Sequence, residues 1–409
     1  MIVAVLAILS AAAVYGQKSP FGSYGKKVTS RQVVEYLASD KLEGRNSGTA
    51  GDTLASEMIF RQLKKLGLNP GIQTFNLKKE NSTTFNVYGS IAGKSGKYIV
   101  VGAHYDHLGM GGSGSGSRRP DTLAIHNGAD DNASGVAGML YMAKNFAGKR
   151  GLEHGIIFAA FGAEEKGIVG SKHFVENVGE LELSGKNKIG AKDIVAMFNF
   201  DMIGNLRGSA ITLGGTGTAE QMDAIIEGAQ KEYGNALKIT RSAQGHGPSD
   251  HSAFYAKEIP VFYITTGATE DYHTPDDDAH KINYNGIDSV AAFASLLVGQ
   301  VQGYPHGLTF TDTGSPEASP MRSSFKVTLG LMPDVTGQVE NGLRADLVVK
   351  GKPAYAAGLK NGDVIVQIND IAIKDIEVYM EALGTLNKGE VAKVTVLRGG
   401  ERLTFDVQL

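Results

Sequence analysis

Two histidines and several carboxylates follow apolar, strand-like segments of this 409-residue chain, and these side chains could do chemistry. The segment 98–103 runs directly into His104, and Asp106 comes two residues later. In an extended chain this spacing puts both side chains on one face, where a carboxylate can orient a metal-binding histidine. Alone, such a pair is more often a loop hydrogen bond, so a metal site needs partners from elsewhere in the chain.

Three other strand-like segments are also followed by an acid or a histidine. Ligands of open α/β sheets bind in the crevice at the carboxyl ends of the strands, so these side chains are candidates for one site. They are Glu164 and Glu165 after segment 156–161, Asp201 after segment 195–200, and His273 shortly after segment 260–265.

Another candidate lies in the run Gly-Ala-Asp-Asp-Asn-Ala-Ser-Gly at 128–135, just before a helical pattern. Asp and Asn are typical residues at a helix N-cap. We therefore expect either Asp130 or Asp131 to cap the helix and the other to be left for a metal. Glu164 and Glu165 are adjacent and cannot both point the same way, so one can bind metal while the other carries protons.

The residue types at these positions favour zinc. The chain has no cysteine, so a bound metal must be held by His, Asp and Glu. Two histidines and three carboxylates suit a pair of divalent ions with one carboxylate bridging them. Magnesium would not need the histidines.

The elements that position these side chains alternate between strand-like and helical patterns. This alternation is typical of a mostly parallel sheet covered by helices, so we predict a three-layer α/β/α sandwich with a mixed sheet. The glycine- and serine-rich run 111–117 is expected to be a plain surface loop. The predicted helices are 31–37, 52–66, 133–146, 220–233 and 287–301, and the predicted strands are 98–103, 156–161, 195–200, 211–213 and 260–265.

Composition and charge limit the classes of protein to which this chain can belong. The charged share of 20% and the hydrophobic share of 42% are those of an ordinary globular protein. A net charge of -3 without long blocks of like charge gives no reason to expect nucleic acid.

The apolar residues 2–14 predict a secretory signal over 1–17, although a charged front end is missing, and a buried N-terminal strand or helix is the alternative. The segment is too short for a stable membrane span, so we expect an exported protein, either periplasmic or secreted.

The candidate metal-binding residues and the motifs around them resemble those of the two-zinc aminopeptidases, which include bacterial leucine aminopeptidases, aminopeptidase Y and, more distantly, glutamate carboxypeptidase II. The resemblance covers roughly residues 28–301, within a zinc peptidase domain whose bounds, 21–308, are predicted from the composition along the chain. It rests on His104-x-Asp106, the run 128–135, Ala163-Glu164-Glu165-x-Gly167, Asp201 and His273-Thr274-Pro275.

The resemblance implies a role for each of these residues. Asp131 would bridge two zinc ions; one ion would add His104 and Asp201, and the other Glu165 and His273. Glu164 would be the general base, and Asp106 would orient His104. The family's oxyanion-stabilising tyrosine falls on His246 here if Ser249-Asp250-His251 is the matching triplet, and this departure puts the role of that position in doubt. The substrates implied are peptides with a free N-terminus.

The C-terminal residues are similar to a PDZ domain. A linker is predicted at 309–323, where two prolines and no apolar periodicity occur, and a small β-rich domain at 324–409. Leu329-Gly330-Leu331 would be the loop that captures a peptide C-terminus, with a helix at 375–386 flanking the groove. The alternative is a domain that only packs on the catalytic domain or blocks its crevice.

Two rival functions fit parts of this pattern. Glutaminyl cyclases share the implied fold and much of the ligand set, but their pocket uses tryptophans and this chain has none. A catalytically silent protein that binds through its PDZ domain is the second rival. Such relatives lose ligands or the base, whereas all six positions are filled here.

Overall fold

The computed structural model describes residues 28–185, 188–314, 327–333, 339, 341–348, 351–374 and 376–409. The predicted signal segment 1–17 and most of the predicted linker lie outside the described residues, so both stay predictions.

An eight-stranded mixed sheet forms the centre of the N-terminal domain, with strand order β1-β2-β4-β3-β5-β8-β6-β7. The four central strands β4, β3, β5 and β8 run parallel to one another. Every residue of these strands is buried, as expected for strands covered on both faces. The strands are β1 (Gly71–Leu77), β2 (Ser82–Ile91), β3 (Tyr98–His104), β4 (Gly155–Phe161), β5 (Ile194–Phe200), β6 (Ala210–Gly214), β7 (Lys238–Arg241) and β8 (Val261–Thr265).

Helices cover both faces of this sheet. One apolar core contains residues of α1, α2, α3, α5 and α7, and a second contains residues of α4 and α6. The predicted three-layer α/β/α sandwich is therefore confirmed. The helices are α1 (Ser30–Leu37), α2 (Ala50–Lys65), α3 (Gly135–Phe146), α4 (Val169–Glu176), α5 (Met222–Glu232), α6 (His251–Tyr255) and α7 (Tyr284–Val301).

The C-terminal residues fold around a separate apolar core. Their antiparallel sheet has the order β14-β13-β11-β10-β9, with β12 paired to β11. None of the helices in the described residues is both long and apolar enough to span a membrane. The elements are β9 (Leu331–Pro333), β10 (Leu343–Val348), α8 (Pro353–Ala357), β11 (Val364–Ile368), β12 (Ile371–Ala372), α9 (Ile376–Thr385), β13 (Val391–Arg398) and β14 (Glu401–Gln408).

Candidate metal centre

Three of the predicted ligands meet at the carboxyl ends of β3 and β5. His104 is the last residue of β3, and Asp201 follows β5. The Nε2 atom of His104 lies 3.2 Å from Oδ1 of Asp131 and 3.5 Å from Oδ1 of Asp201. These three groups can hold one ion.

Asp131 faces a second group of ligands with its other oxygen. The Nε2 atom of His273 lies 3.0 Å from Oδ2 of Asp131 and 3.2 Å from Oε1 of Glu165. All five side chains predicted as metal ligands therefore converge, with Asp131 between two sets of donors. This is the geometry that a bridging carboxylate needs.

His107 also belongs to this cluster, and it was missed from the sequence. Its Nδ1 atom lies 2.9 Å from Oε1 of Glu165, and its buried Nε2 atom has no hydrogen-bond partner. Two-residue alternation places His107 on the face opposite His104. However, β3 ends at His104, so this alternation does not apply beyond it. The sequence did contain a signal for His107, because it is a second histidine only three residues after His104.

Asp106 holds the loop that carries Glu164 and Glu165. Its carboxylate accepts hydrogen bonds from the backbone N–H of Glu164 (2.9 Å) and of Glu165 (3.3 Å), and from the Ser47 hydroxyl (2.9 Å). The Nδ1 atom of His104 is closer to the Asp106 carbonyl oxygen (3.3 Å) than to its carboxylate (3.7 Å). Asp106 thus positions both His104 and the two glutamates.

The loop before α3 presents Asp131 through contacts made by its neighbours. The Asp277 carboxylate accepts the backbone N–H groups of Asp130 (2.8 Å) and Asp131 (3.0 Å). Asp130 does not cap α3; it accepts hydrogen bonds from the Gly204 N–H and the Asn205 amide, both at 2.7 Å. Asn132 accepts the N–H of Gly135 instead, at 2.9 Å. The loops after β5 and before α7 therefore fix Asp131.

The glycine-rich run 111–117 does more than line the surface, as it orients His273. The Gly116 carbonyl lies 3.1 Å from Nδ1 of His273, so this nitrogen can donate and leave Nε2 free for a metal. The backbone N–H of Arg118 donates to the His273 carbonyl at 2.9 Å. On the other side, the Tyr272 ring stacks on the His273 ring at 3.8 Å.

The charge state of the cluster indicates a cation site. Burial lowers the pKa of His273, but the carboxylates of Glu165 and Asp131 outweigh it and raise the pKa to about 11. Asp201 presents a buried Oδ1 atom that has no hydrogen-bond partner. A buried carboxylate oxygen without a donor is costly unless a cation satisfies it. The residues present therefore fit a metal pair, which would displace protons from the histidines on binding.

Glu164 lies beside the cluster and is partly buried. Its burial raises its pKa well above the ordinary value, and the nearby carboxylates of Glu165, Asp250 and Asp201 act in the same direction, although His104 opposes them. A raised pKa makes a carboxylate a stronger base, which suits a group that accepts a proton and later returns it. This is the property required of a general base.

His246 is not brought into the cluster. Its Nδ1 atom lies 3.3 Å from the Gly314 carbonyl, and its ring centre lies 6.5 Å from that of Tyr255. These contacts give no geometric support to the expected role in stabilising an oxyanion.

The C-terminal domain lies next to the loop that carries His273. A cavity of about 580 Å³ separates them. Its wall on the N-terminal domain flanks His273 and includes Arg118, Arg119, Glu270, Asp271 and Asp276, while the wall on the C-terminal domain includes Lys352 and Lys360. The two lysines thus face a wall of mixed charge in which three acids outnumber two arginines.

Two family models match the chain. Peptidase family M28 matches residues 86–298, a little over half of the chain, and PDZ domain matches residues 329–409. Both resemblances expected from the sequence are confirmed.

Relatives with assigned activities match the chain at low identity. The chain is 25% identical to leucine aminopeptidase 2 of Arthroderma otae over 315 residues, which are 69% of this chain and 58% of that protein. It is 25% identical to leupeptin-inactivating enzyme 1 of Streptomyces exfoliatus over 374 residues, which are 84% of this chain and 75% of that protein. The chain thus spans less than two thirds of the first of these relatives.

Solved structures share the fold of the N-terminal domain. A zinc aminopeptidase from Bacillus subtilis has a TM-score of 0.54 at 18% identity and covers 67% of this chain and 94% of its own. A glutaminyl cyclase from Porphyromonas gingivalis also has a TM-score of 0.54 at 18% identity, covering 66% of this chain and 96% of its own. The fold alone therefore fits both activities.

Proposed function

Because the chain belongs to peptidase family M28, we propose that it is a metallo-aminopeptidase that uses two zinc ions to remove N-terminal residues from peptides. The observation that carries this proposal is the position of Asp131, whose two oxygens face two separate groups of donors. Glu164 lies beside both groups, where a hydrolytic water would be activated.

Each residue of the cluster would have a defined task with zinc bound. His104, Asp131 and Asp201 would hold one ion, and Asp131, Glu165 and His273 the other. When bound, such a pair lowers the pKa of a water between the ions and polarises the scissile carbonyl. His107 would hold Glu165 in place through its Nδ1 atom, and the Gly116 carbonyl would keep the Nε2 atom of His273 directed at the metal.

Glu164 would carry the proton. Its carboxylate would take a proton as water attacks the peptide carbonyl, and then return it to the departing amine. Asp106 supports this role because it holds the Glu164 backbone N–H at 2.9 Å. The substrate's free amino group would bind to one zinc ion or to a nearby carboxylate.

The remaining parts of the proposal concern the PDZ domain and the compartment. The groove between β9 and α9 would take the C-terminus of a peptide, as PDZ grooves do by strand addition.

Export to the periplasm or the medium is supported by the apolar residues 2–14. N-terminal sequencing of the protein recovered from a culture medium or periplasm would test the export.

Glutaminyl cyclase activity is the alternative, because a solved cyclase has the same fold. The absence of tryptophan from the chain disfavours it. A protein that only binds ligands is disfavoured by the complete cluster, since buried acids of this kind are costly to keep without a function.

One experiment separates these functions. A single peptide is incubated in its free and N-acetylated forms, with and without a zinc chelator, and the products are identified by mass. We expect shortening from the N-terminus of the free form only, and no products after chelation. A loss of 17 Da from an N-terminal glutamine, or shortening of the acetylated form, would contradict the proposal.

A further inference from the structure

Arg45 is a fully buried cation that no part of the proposed reaction uses. Its guanidinium donates to four backbone carbonyls, and its side chain is 0% exposed. The acceptors are the carbonyls of Tyr105 (2.7 Å, from Nε), Asn127 (2.7 Å, from Nη1), Gly128 (3.0 Å, from Nη2) and Leu37 (from Nη1).

These carbonyls belong to the two segments that carry metal-site residues and to a helix end. Tyr105 lies between His104 and Asp106, and residues 127–128 precede Asp131. Leu37 is the last residue of α1, where the helix dipole has its negative end. One planar group therefore joins segments that are far apart in the sequence but must be in register for His104 and Asp131 to share an ion.

The backbone conformation at residues 43–45 directs the Arg45 side chain into the interior. Glu43, Gly44 and Arg45 all have left-handed φ values, of 47°, 68° and 49°. A Cβ atom at Gly44 would lie 2.5 Å from the His126 carbonyl oxygen, so only glycine fits there. The carbonyls of Gly44 and Arg45 accept the N–H groups of Gly109 and His107, which fixes this turn against the segment after β3.

The charge of Arg45 suits its location behind the acidic cluster. Burial lowers the pKa of Arg45 to about 10, while Asp106, Asp277, Asp131 and Glu165 oppose that shift. The guanidinium thus stays charged at neutral pH. Burying several carboxylates together costs free energy when no metal is bound to them, and a fixed positive charge nearby reduces that cost.

We propose that Arg45 is a positioning residue that assembles the metal centre, by holding the segment of Tyr105 and the segment of Asn127 and Gly128 in register before metal binds. This inference rests on the proposed metal centre. A lysine at this position keeps the charge but cannot reach four carbonyls in one plane. In such a variant, zinc binding would have to bring the two segments into register. The free energy that this ordering costs would lower the affinity for zinc.

The test compares zinc binding by the full-length wild type, Arg45→Lys and Arg45→Met. Zinc affinity is measured by competition with a chromophoric chelator, and Co²⁺ is added separately to read the ligand geometry from its visible absorption. We expect affinity to fall about 10- to 100-fold in both variants, the range seen when groups behind metal ligands are removed. We also expect an altered cobalt spectrum and faster amide exchange at residues 127–131 in the metal-free protein.

The matched controls are Arg241→Lys and Arg241→Met. Arg241 bonds Asp223 and Gln230 away from the cluster, so zinc affinity should not change. If Arg45→Lys melts at a lower temperature but binds zinc and cobalt as the wild type does, Arg45 is merely structural and the inference fails. If Arg45→Met does not fold, Arg45→Lys decides. A wild type that binds no zinc would overturn the proposed function as well.

Discussion

Glu164 and Glu165 are neighbours in the chain, but their surroundings assign them different tasks. Glu165 faces His107 and His273, whereas Glu164 has no predicted place among the metal ligands. We predict that Glu164→Gln retains zinc but loses about 10²- to 10⁴-fold in kcat, the usual contribution of general acid–base catalysis. Glu165→Gln should instead lose at least about tenfold in affinity for one zinc ion.

The measurements are kcat on a peptide with a free N-terminus and zinc content after dialysis. Glu176→Gln is the control, because Glu176 makes a surface contact with Lys257 and should change neither quantity. Zinc loss from Glu164→Gln together with full retention by Glu165→Gln would show that the two tasks are reversed, and either result alone would contradict the assignment of that residue.

How far the sequence predicts the site depends on whether the backbone is regular. The positions of His104 and Asp201 follow from buried strands that end just before them, so their convergence was predictable. His107, Arg45 and the Gly116 carbonyl lie on turns with left-handed or irregular backbone, where residue spacing does not fix direction. His246 was placed by motif matching alone, and its contacts with Gly314 and Tyr255 could not be foreseen.

Among the secondary structure elements, long periodic segments were predicted within a few residues, and short or polar ones were missed. The strand 98–103 is extended by one residue, to His104. Strand β2 was missed because its first half is polar, and α6, at five residues, is too short to show a period. The helix predicted to begin at 133 begins at Gly135, because the preceding residues form the turn that presents Asp131.

Helix α2 carries a buried acid that should make the stability of the fold depend on pH. Asp52, in its first turn, accepts the Gly48 N–H at 2.8 Å. Burial raises the pKa of Asp52 from 3.8 to about 7, although that hydrogen bond opposes the shift. Between about pH 4 and pH 7 the folded state therefore keeps a proton that the unfolded state has lost. Folding stability should fall as pH rises through this window.

We predict that Asp52→Asn removes this dependence. From pH 5 to pH 8 the free energy of unfolding of the wild type should fall by about 2.5 kcal/mol more than that of the variant, because about two pKa units, each worth about 1.4 kcal/mol, lie inside this window. Urea unfolding at both pH values measures the difference. Asp223→Asn, at an exposed carboxylate, should show no such change. A difference that is the same at pH 5 and pH 8 would mean that Asp52 is ionised in the fold.

The arrangement of the two domains places a charged cavity beside the metal centre. Lys352 and Lys360 on the PDZ side face a wall next to His273 that carries three acids and two arginines, across a cavity of about 580 Å³. Attraction between exposed charges is weak and is screened beyond about 10 Å at 0.1 M salt. The PDZ domain should therefore be held loosely over this wall, where a long peptide substrate would compete with it for space.

We predict that the double variant Lys352→Glu/Lys360→Glu weakens the hold of the PDZ domain on this wall, because the three acids of the wall outnumber its two arginines. The radius of gyration by X-ray scattering should rise, and kcat/KM for a ten-residue peptide should rise several-fold relative to that for a dipeptide, because a dipeptide needs only the metal centre. Lys388→Glu/Lys393→Glu changes the net charge equally but lies outside the cavity wall, so both quantities should stay at the wild-type values. An unchanged ratio together with an unchanged radius would mean that the cavity charges neither hold the PDZ domain nor limit access to the metal centre.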